Sequence, residues 1–330
     1  MSDLRKGFKQ SDTLQNICNN NDKIMIANRF ILDRLLSKGS FGEVYLGYDK
    51  QSNNFVAIKL ENIKNKDTSK IMLKHEFNIY NELMKKRTLN DNIRIPKIYW
   101  YNIEDDYAVL VIELLDSSLE NLFNNCNRVF SLKTVLMIGI QIFDQIEYMH
   151  KCSYIHRDLK PENFLIGIND NRHYIYIIDF GLGKRFKNQN NVHCELKTGK
   201  KLIGTARYAS INSHNGLELS RRDDLESLFY IIIYFLKGVL PWQNLPGKDR
   251  EEKYANIKAK KIATKTDELC KDIPIKFKNF IDHIRSLEFN EKPKYKYLRS
   301  LLTEMLIESS NKFDYNYDWV KLRSKSPMSL

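Results

Sequence analysis

Two polar segments near the middle of the chain carry side chains that could move a proton and bind ions. The segment HRDLKPEN contains Asp158, Lys160 and Asn163, and the segment IDFG contains Asp179. A carboxylate can take a proton from a hydroxyl group, and carboxylate and amide oxygens are ligands suited to Mg²⁺. Taken singly, either aspartate could instead be a turn or capping residue. Together the four residues fit a reaction that needs positioning and charge neutralisation, such as phosphoryl transfer.

A glycine-bearing turn lies between two predicted strands near the N-terminus. Its sequence is SKGSFGEV, and its glycines are Gly39 and Gly42. Glycine lets backbone N–H groups approach phosphate oxygens without a side-chain clash. A dinucleotide fingerprint would need a helix after the turn, whereas a strand follows here. The first glycine position of the GxGxxG pattern is Ser37, and the motif alone fits a plain hairpin turn equally well.

A lysine at the end of an apolar strand is a further candidate for binding anions. Lys59 ends the run VAIK, and burying its ammonium group is costly unless it meets negative charge. Glu76 lies on the next predicted helix, on the face that carries Met72 and Tyr80, and is the candidate partner. The alternative is a solvated lysine and a glutamate in an ordinary surface ion pair.

The predicted secondary structure around these residues changes from mainly strands to mainly helices along the chain. The runs RFILDRLL, GEVYLGYD, NFVAIKLE and YAVLVIELL predict a small antiparallel sheet, with one helix at roughly residues 69–86. Beyond about residue 116 the pattern is mainly helical, and Ser131 and Ser220 are placed to open two apolar helices. Two short strands, NFLIG and YIYIIDF, lie between those helices. A small sheet domain followed by a larger helical one predicts a cleft between two lobes.

The composition is that of an ordinary globular protein with a basic surface. The 330 residues are 42% hydrophobic and 28% charged, which argues against disorder over most of the length. The most apolar run, from Leu228 to Leu236, has nine residues, whereas a membrane span takes about 20. Five cysteines without a CxxC spacing indicate a reducing compartment, cytosol or nucleus. The net charge of +12 favours anionic partners but does not identify which class of anion the protein binds.

The order and spacing of the motifs resemble the protein-kinase signature set. VAIK, the glutamate on the next helix, HRDLKPEN and DFG follow one another as in that family. The resemblance implies an α+β, bilobal fold with a small N-terminal lobe of antiparallel sheet and one helix and a larger, mainly helical C-terminal lobe. The expected bounds are 24–115 and 116–318 for the lobes, 1–23 for a flexible polar extension and 319–330 for a short tail.

The kinase resemblance also implies a role for each polar residue, with ATP and Mg²⁺ as cofactors. Asp158 would take the proton of the attacking hydroxyl, and Lys160 would contact the transferring phosphoryl group. Lys59 would hold the α- and β-phosphates, with Glu76 fixing it. The Mg²⁺ ligands would be Asn163 and Asp179. His156 is expected to be a structural core residue that packs with Phe180 and Tyr80.

The same resemblance places the adenine between the lobes. Apolar residues would form its roof and floor, and backbone groups after the last strand of the sheet would hydrogen-bond the base. These apolar residues would be core in almost any fold, so their assignment depends on the kinase resemblance. The nucleotide-binding residues are expected to be Leu36, Ser37, Gly39, Gly42, Val44, Ala57, Lys59, Glu113, Leu115, Leu165 and Ile178.

Further stretches resemble the casein kinase I family. They include ELLDSSLENLF, SRRDDLESL and, most specifically, SIN at 210–212, where most kinases carry Ala-Pro-Glu. The family implies serine/threonine specificity and acidic or already phosphorylated protein substrates. Its anion pockets map onto Arg207 with Arg250, and onto Arg157 with Lys184 and Lys200. The alternative is that these five cations are solvated or paired with nearby carboxylates.

Two other functions remain as alternatives from the sequence. A pseudokinase scaffold would bind nucleotide without transfer, but the full set of catalytic residues argues against it. Nucleic-acid binding would use the basic surface, but no dedicated aromatic-basic module is visible. We therefore expect a monomeric, cytoplasmic or nuclear kinase without a membrane span.

Overall fold

The structure, a computed structural model, describes residues 24–39, 42–64, 66–67, 70–88, 91 and 93–325. The predicted extension at 1–23 and the last five residues of the predicted tail lie outside the described residues. The chain divides into two compact units. The first contains the chain up to Phe77 together with Pro96–Leu114, and the second contains Asn78–Ile95 and the chain from Leu115 onward.

The first unit is built on a six-stranded antiparallel sheet in the order β1-β2-β3-β4-β6-β5. β-Branched and aromatic residues on alternate positions bury one face, where Phe30, Val56, Ile58 and Val111 pack together. This confirms the predicted small antiparallel sheet. The strands are β1 (Met25–Ile26), β2 (Phe30–Gly39), β3 (Gly42–Asp49), β4 (Asn54–Asn62), β5 (Ile98–Glu104) and β6 (Tyr107–Glu113).

Helix α1 (Met72–Lys85) begins in the first unit and continues into the second. Its first turn is held by Glu61 of strand β4, whose Oε2 accepts the backbone N–H of Leu73 at 2.8 Å. A carboxylate suits this position because the first N–H groups of a helix have no partner within it. Lys59 and Glu61 share one face of strand β4, so the strand end fixes both the helix start and the lysine beside it.

The second unit is mainly helical, as predicted. The longest of its described helices, α3, is opened by Ser131, whose hydroxyl accepts the N–H of Thr134. Ser220 caps α5, where its N–H donates to Asp223 at 2.7 Å. The helices are α2 (Leu119–Asn125), α3 (Leu132–Lys151), α4 (Ile211–His214), α5 (Arg221–Lys237), α6 (Arg250–Ala263), α7 (Thr266–Leu269), α8 (Lys276–Ser286), α9 (Tyr295–Glu308) and α10 (Asp318–Lys325).

Short strands and turns between the helices of the second unit carry the polar motifs. Two antiparallel pairs form, β7 with β10 and β8 with β9, and a 3₁₀ turn spans Pro161–Asn163. The strands are β7 (Tyr154–Ile155), β8 (Phe164–Ile166), β9 (Ile175–Ile177) and β10 (Lys184–Arg185). The motif HRDLKPEN therefore lies between β7 and β8, and DFG lies after β9.

The C-terminal end of the described chain packs within the second unit. Helix α10 begins at Asp318, one residue before the predicted tail, and Trp319 is 4% exposed against the ring of Phe130. Asp318 also accepts the backbone N–H of Ser131 at 2.6 Å. Among the described residues, none of the helices is long and apolar enough to cross a membrane.

Candidate active site

The loop at residues 156–163 is fastened to helix α5 by Asp224. This buried carboxylate accepts the backbone N–H of His156 at 2.8 Å and of Arg157 at 2.9 Å, and it lies 3.0 Å from Nε2 of His150. Burial alone would raise the pKa of Asp224, but the hydrogen bonds with His150 and with the backbone N–H of Arg157 hold that pKa below its ordinary value. The loop conformation is therefore set by an ionised carboxylate beneath it.

Both carboxylate oxygens of Asp158 are engaged by donors. Oδ2 lies 2.9 Å from Nζ of Lys160, while Oδ1 accepts the N–H of Thr205 at 2.7 Å and its hydroxyl at 2.8 Å. Burial lowers the pKa of Lys160, but the attraction of Asp158, Asp179 and Glu162 outweighs it and raises that pKa overall. A protonated lysine and a fixed carboxylate thus lie side by side.

Thr205 is a site residue that the sequence reasoning did not assign. It lies in the segment GTARYA at 204–209, where nothing in the sequence pattern indicates that this hydroxyl meets Asp158. The preceding residue explains the close approach, since Gly204 has a φ of 84° and a Cβ there would lie 2.4 Å from the carbonyl oxygen of Arg157. Glycine alone fits both the conformation and the space.

Asn163 and Asp179, the predicted Mg²⁺ ligands, lie on adjoining strand ends. The N–H of Ile178 donates to the carbonyl of Asn163 at 3.0 Å, which brings the two segments together. The amide nitrogen of Asn163 donates to the carbonyl of Asp158 at 3.0 Å, which fixes the orientation of the side-chain amide.

The donor chemistry at this place fits a cation shared with phosphates. Within the described part of the chain, no group of three or more His, Cys, Asp or Glu side chains could hold a metal by itself. Mg²⁺ commonly takes one or two protein carboxylates and completes its shell with phosphate oxygens and water. One carboxylate at Asp179 and one amide oxygen at Asn163 match that pattern, and their role as ligands stays a prediction.

The aromatic ring of the DFG motif is core, as predicted. Phe180 is fully buried, with ring centroids 4.7 Å from Tyr80 and 5.5 Å from His156. His156 Nε2 also lies 3.2 Å from the carbonyl oxygen of Ile178. These contacts hold the 156–163 loop and the DFG turn together, which confirms the structural role expected for His156.

Within the first unit, Lys59 and Glu76 form the predicted ion pair. Lys59 Nζ lies 2.6 Å from Glu76 Oε1, with side-chain exposures of 12% and 4%. Strand register sets Lys59 opposite Val44 on one side and Leu110 on the other. A buried ammonium beside a carboxylate is held in one place and can contact further anions.

The residues of the first unit that were assigned to nucleotide lie mostly on strands β2 to β4. Ser37 pairs with Val44 and Gly39 with Gly42, so Ser37 occupies a strand position that accommodates a side chain. Leu36 is exposed, and Ala57 is buried. At the end of β6, the N–H of Glu113 donates to the carbonyl of Lys97 at 2.8 Å. Contact between Glu113 and a base stays a prediction.

The assigned residues of the second unit lie beside one another. Leu165 forms a bridge with Ser118, and the N–H of Asp116 donates to the carbonyl of Ile166 at 2.9 Å, so strand β8 adjoins the segment that begins at Leu115. Leu165 and Ile178 are both half-buried. Their contact with adenine stays a prediction.

One predicted anion pocket surrounds a carboxylate that the sequence reasoning missed. Lys184 Nζ lies 2.8 Å and Lys200 Nζ 3.8 Å from the carboxylate of Glu218, which is 4% exposed. Burial would raise the pKa of Glu218, but the hydrogen bond from Lys184 and the nearby cations lower it overall. The side chain of Arg157 donates to the carbonyl of Leu182 at 2.7 Å. The pocket therefore already contains one negative charge.

The two arginines of the other predicted pocket contact different aromatic side chains. The guanidinium of Arg207 lies 5.7 Å from the ring centroids of Tyr208 and Tyr234. Arg250 opens helix α6 and donates to the hydroxyl of Tyr254 at 3.0 Å. Among the described residues the two arginines share no contact partner, so their convergence on one anion stays a prediction.

Comparison with known families gives an independent result. A family model described as a protein kinase domain matches residues 30–307, which is most of the chain. The match begins at the first residue of strand β2 and ends in the last turn of helix α9. It includes every residue placed above around Asp158 and around the Lys59–Glu76 pair.

Proposed function

We propose that this chain, which belongs to the protein kinase family, is a serine/threonine kinase of the casein kinase I type. The observation that carries the proposal is the arrangement around Asp158, where Lys160 and Thr205 each bind one carboxylate oxygen. A lysine two residues after the aspartate is typical of serine/threonine kinases. The full set of polar residues favours catalysis over a scaffold that only binds nucleotide.

Asp158 performs the proton step of the proposed reaction. Its carboxylate accepts the proton of a serine or threonine hydroxyl as that oxygen bonds to the γ-phosphorus of ATP. The bond from the γ-phosphorus to the bridging oxygen breaks, and ADP leaves with the bonding electrons. Thr205 holds the carboxylate in one orientation, and Lys160 places a positive charge beside the reacting oxygens.

The remaining polar residues hold the nucleotide in place. Lys59, fixed by Glu76, binds the α- and β-phosphates. Mg²⁺, when bound by Asn163 and Asp179, neutralises charge on the phosphates. Since phosphoryl transfer needs little covalent help from the protein, positioning and electrostatics account for most of the proposed rate enhancement.

Two features support the casein kinase I type and its acidic substrates. In the segment SIN, Ser210 Oγ and Asn212 Nδ2 both donate to Asp223 Oδ1, at 2.7 and 3.0 Å, so these residue types are needed where other kinases carry Ala-Pro-Glu. The net charge of +12 raises the local concentration of acidic or phosphorylated proteins. Arg207 is two residues beyond Thr205, which binds Asp158, and in this proposal it is a cation that meets such a substrate.

Paired peptides test the proposal. Peptides with serine, threonine or tyrosine as acceptor are compared, each with or without a phosphoserine three positions earlier. We expect transfer to serine and threonine, with higher kcat/KM for the phosphorylated peptide. Transfer to tyrosine alone would contradict the serine/threonine assignment, and equal kcat/KM for both peptides would contradict the substrate class.

Arginine variants test the substrate class more closely. Arg207→Ala should cost about 1.5–3 kcal/mol on the phosphorylated peptide, which is roughly ten- to a hundredfold in kcat/KM. Arg250→Ala should act in the same direction. Lys253→Ala, an exposed position on the helix of Arg250, is the control for loss of one positive charge. Equal losses on both peptides would mean that the arginines do not bind a phosphate.

A further inference from the structure

Lys261 of helix α6 is buried although the helix is otherwise polar. The residue is 1% exposed, and its Nζ donates to the carbonyl oxygens of Ala206, at 2.9 Å, and Ala209. The Nζ atom also lies 4.8 Å from the ring centroid of Tyr230 and 5.1 Å from that of Trp242. Burial lowers the pKa of Lys261 to about 7, and two carbonyls and two aromatic faces surround its amino group.

Lys261 belongs to a set of side chains from other elements that bind backbone carbonyls of residues 206–209. Trp242 donates its indole N–H to the carbonyl of Arg207 at 2.8 Å, and His214 Nε2 lies 3.1 Å from the carbonyl of Ala206. Three of the four carbonyls in this segment therefore meet a side chain of another element. Backbone groups bound in this way cannot adjust freely to a substrate.

Both ends of the 206–209 segment are also fixed. Before it, Thr205 binds Asp158 through its N–H and its hydroxyl. After it, the N–H of Ile211 donates to Glu226 at 3.2 Å, and Ser210 donates to Asp223. The segment thus runs from the proposed catalytic base to helix α5, and Lys261 is bonded to its first and last carbonyls.

The geometry points to Lys261 as a positioning residue for the protein substrate. Its buried amino group donates to two carbonyls and so fixes the backbone of residues 206–209, and that backbone sets the place of Arg207 and the path by which a polypeptide reaches Asp158. Lys261 itself touches neither substrate nor reacting atoms. The role rests on the proposed function, because it requires that the chain phosphorylates proteins.

Two single substitutions on helix α6 separate this role from general effects. Lys261→Met keeps the length of the apolar stem but cannot donate a hydrogen bond. Lys260→Met is the matched control, since the neighbouring side chain is 42% exposed and lies 4.0 Å from Glu268. Initial rates of both variants and of the natural protein are measured with ATP and with an acidic serine peptide varied separately. Amide hydrogen exchange is followed over residues 205–210 in the same samples.

We expect the KM for the peptide to rise about tenfold in Lys261→Met, because two buried carbonyls lose their donor. The KM for ATP should stay unchanged, and Lys260→Met should match the natural protein in both values. Amide exchange over residues 205–210 should become faster in Lys261→Met, with helix α3 unaffected.

A merely structural lysine would give a different result. In that case kcat of Lys261→Met would fall in proportion to its folded fraction while both KM values stayed constant. Amide exchange over residues 205–210 that is the same as in the natural protein would also show that Lys261 does not hold the segment. Either outcome overturns the proposal. If Lys261→Met does not fold, Trp242→Phe decides, since it keeps an aromatic ring but removes the N–H that binds the carbonyl of Arg207, and an unchanged peptide KM overturns the proposal. If the natural protein phosphorylates no peptide, the proposed function fails, and the exchange measurement decides whether Lys261 holds the segment.

Discussion

Thr205 donates both its backbone N–H and its hydroxyl to one oxygen of Asp158, at 2.7 and 2.8 Å. The second oxygen of Asp158 is left to Lys160. A carboxylate bound at one oxygen by two donors of a fixed segment keeps its orientation before a substrate arrives, which is the preorganisation that a catalytic base requires.

The hydroxyl of Thr205 should therefore matter for turnover. Thr205→Val keeps the shape but removes a hydrogen bond to a charged group, worth about 1.5–3 kcal/mol. We expect kcat to fall roughly tenfold or more, with the KM for ATP unchanged. Thr205→Ser retains the hydroxyl and should keep most of the activity. Equal rates for the valine and serine variants would show that the hydroxyl is not needed.

Asp158→Asn should abolish most phosphoryl transfer while leaving ATP binding largely intact. The proposed role of the carboxylate is to accept the proton of the hydroxyl and not to bind the nucleotide, and a general base typically contributes about 10²–10⁴-fold to a rate. The measurement is kcat together with the dissociation constant of ATP from equilibrium binding. Turnover close to that of the natural protein would mean that Asp158 is not the base.

Asp179→Asn should act on nucleotide binding instead. The substitution removes the charge of a proposed Mg²⁺ ligand but keeps an oxygen at the same place. We expect the affinity for ATP to fall at low Mg²⁺ and to recover in part as Mg²⁺ is raised. Affinity that is weakened equally at every Mg²⁺ concentration, or not at all, would argue against a metal at this residue. Chelation of Mg²⁺ should reduce the natural protein to the same low affinity.

Much of the site could be predicted because its residues recur in strongly patterned elements. The alternating runs of β3 and β4 set the register that places Lys59, and the helical spacing of α1 places Glu76 to meet it. Lys261 could not be predicted in this way, since it follows lysines in a polar helix and only Ile257, four residues earlier, indicates a buried face. Glu218 lies in a loop, and a loop has no regular spacing of apolar residues from which the burial of a side chain could be predicted.

The stability of the second unit should depend on pH through His214. Burial, together with the positive charges of Lys261 and Lys258, lowers the pKa of His214 to about 4, whereas an unfolded histidine titrates near pH ~6.5. The unfolded chain therefore binds the proton more strongly, so this contribution to stability is complete above pH ~6.5 and is lost as the pH falls towards 4. Denaturant unfolding of the natural protein and of His214→Gln across this range measures it. The difference in unfolding free energy between the two proteins should shrink as the pH falls, and a constant difference would contradict the lowered pKa.

Phosphorylation of the segment 184–203 should not be required for activity. Its single serine or threonine is Thr198, which is exposed, and Glu218 already supplies a negative charge to Lys184 and Lys200. Protein made without other kinases should be active, and Thr198→Ala should equal the natural protein in kcat/KM. Dependence of turnover on a phosphate at Thr198 would refute this.

Glu218→Gln tests whether the buried carboxylate of Glu218 positions Lys184 and Lys200. Without it, Lys184 and Lys200, which are both partly exposed, lose a buried counter-charge. The charge-assisted hydrogen bond from Lys184 to residue 218 becomes weaker, which loosens the segment that contains the two lysines. We expect kcat/KM to fall several-fold and added sulfate to restore part of it, since a free dianion can take the place of the carboxylate. Glu195→Gln, an exposed acid in the same part of the chain, controls for the change in net charge. Sulfate that inhibits both variants alike, without rescue, would show that Glu218 does not occupy an anion site.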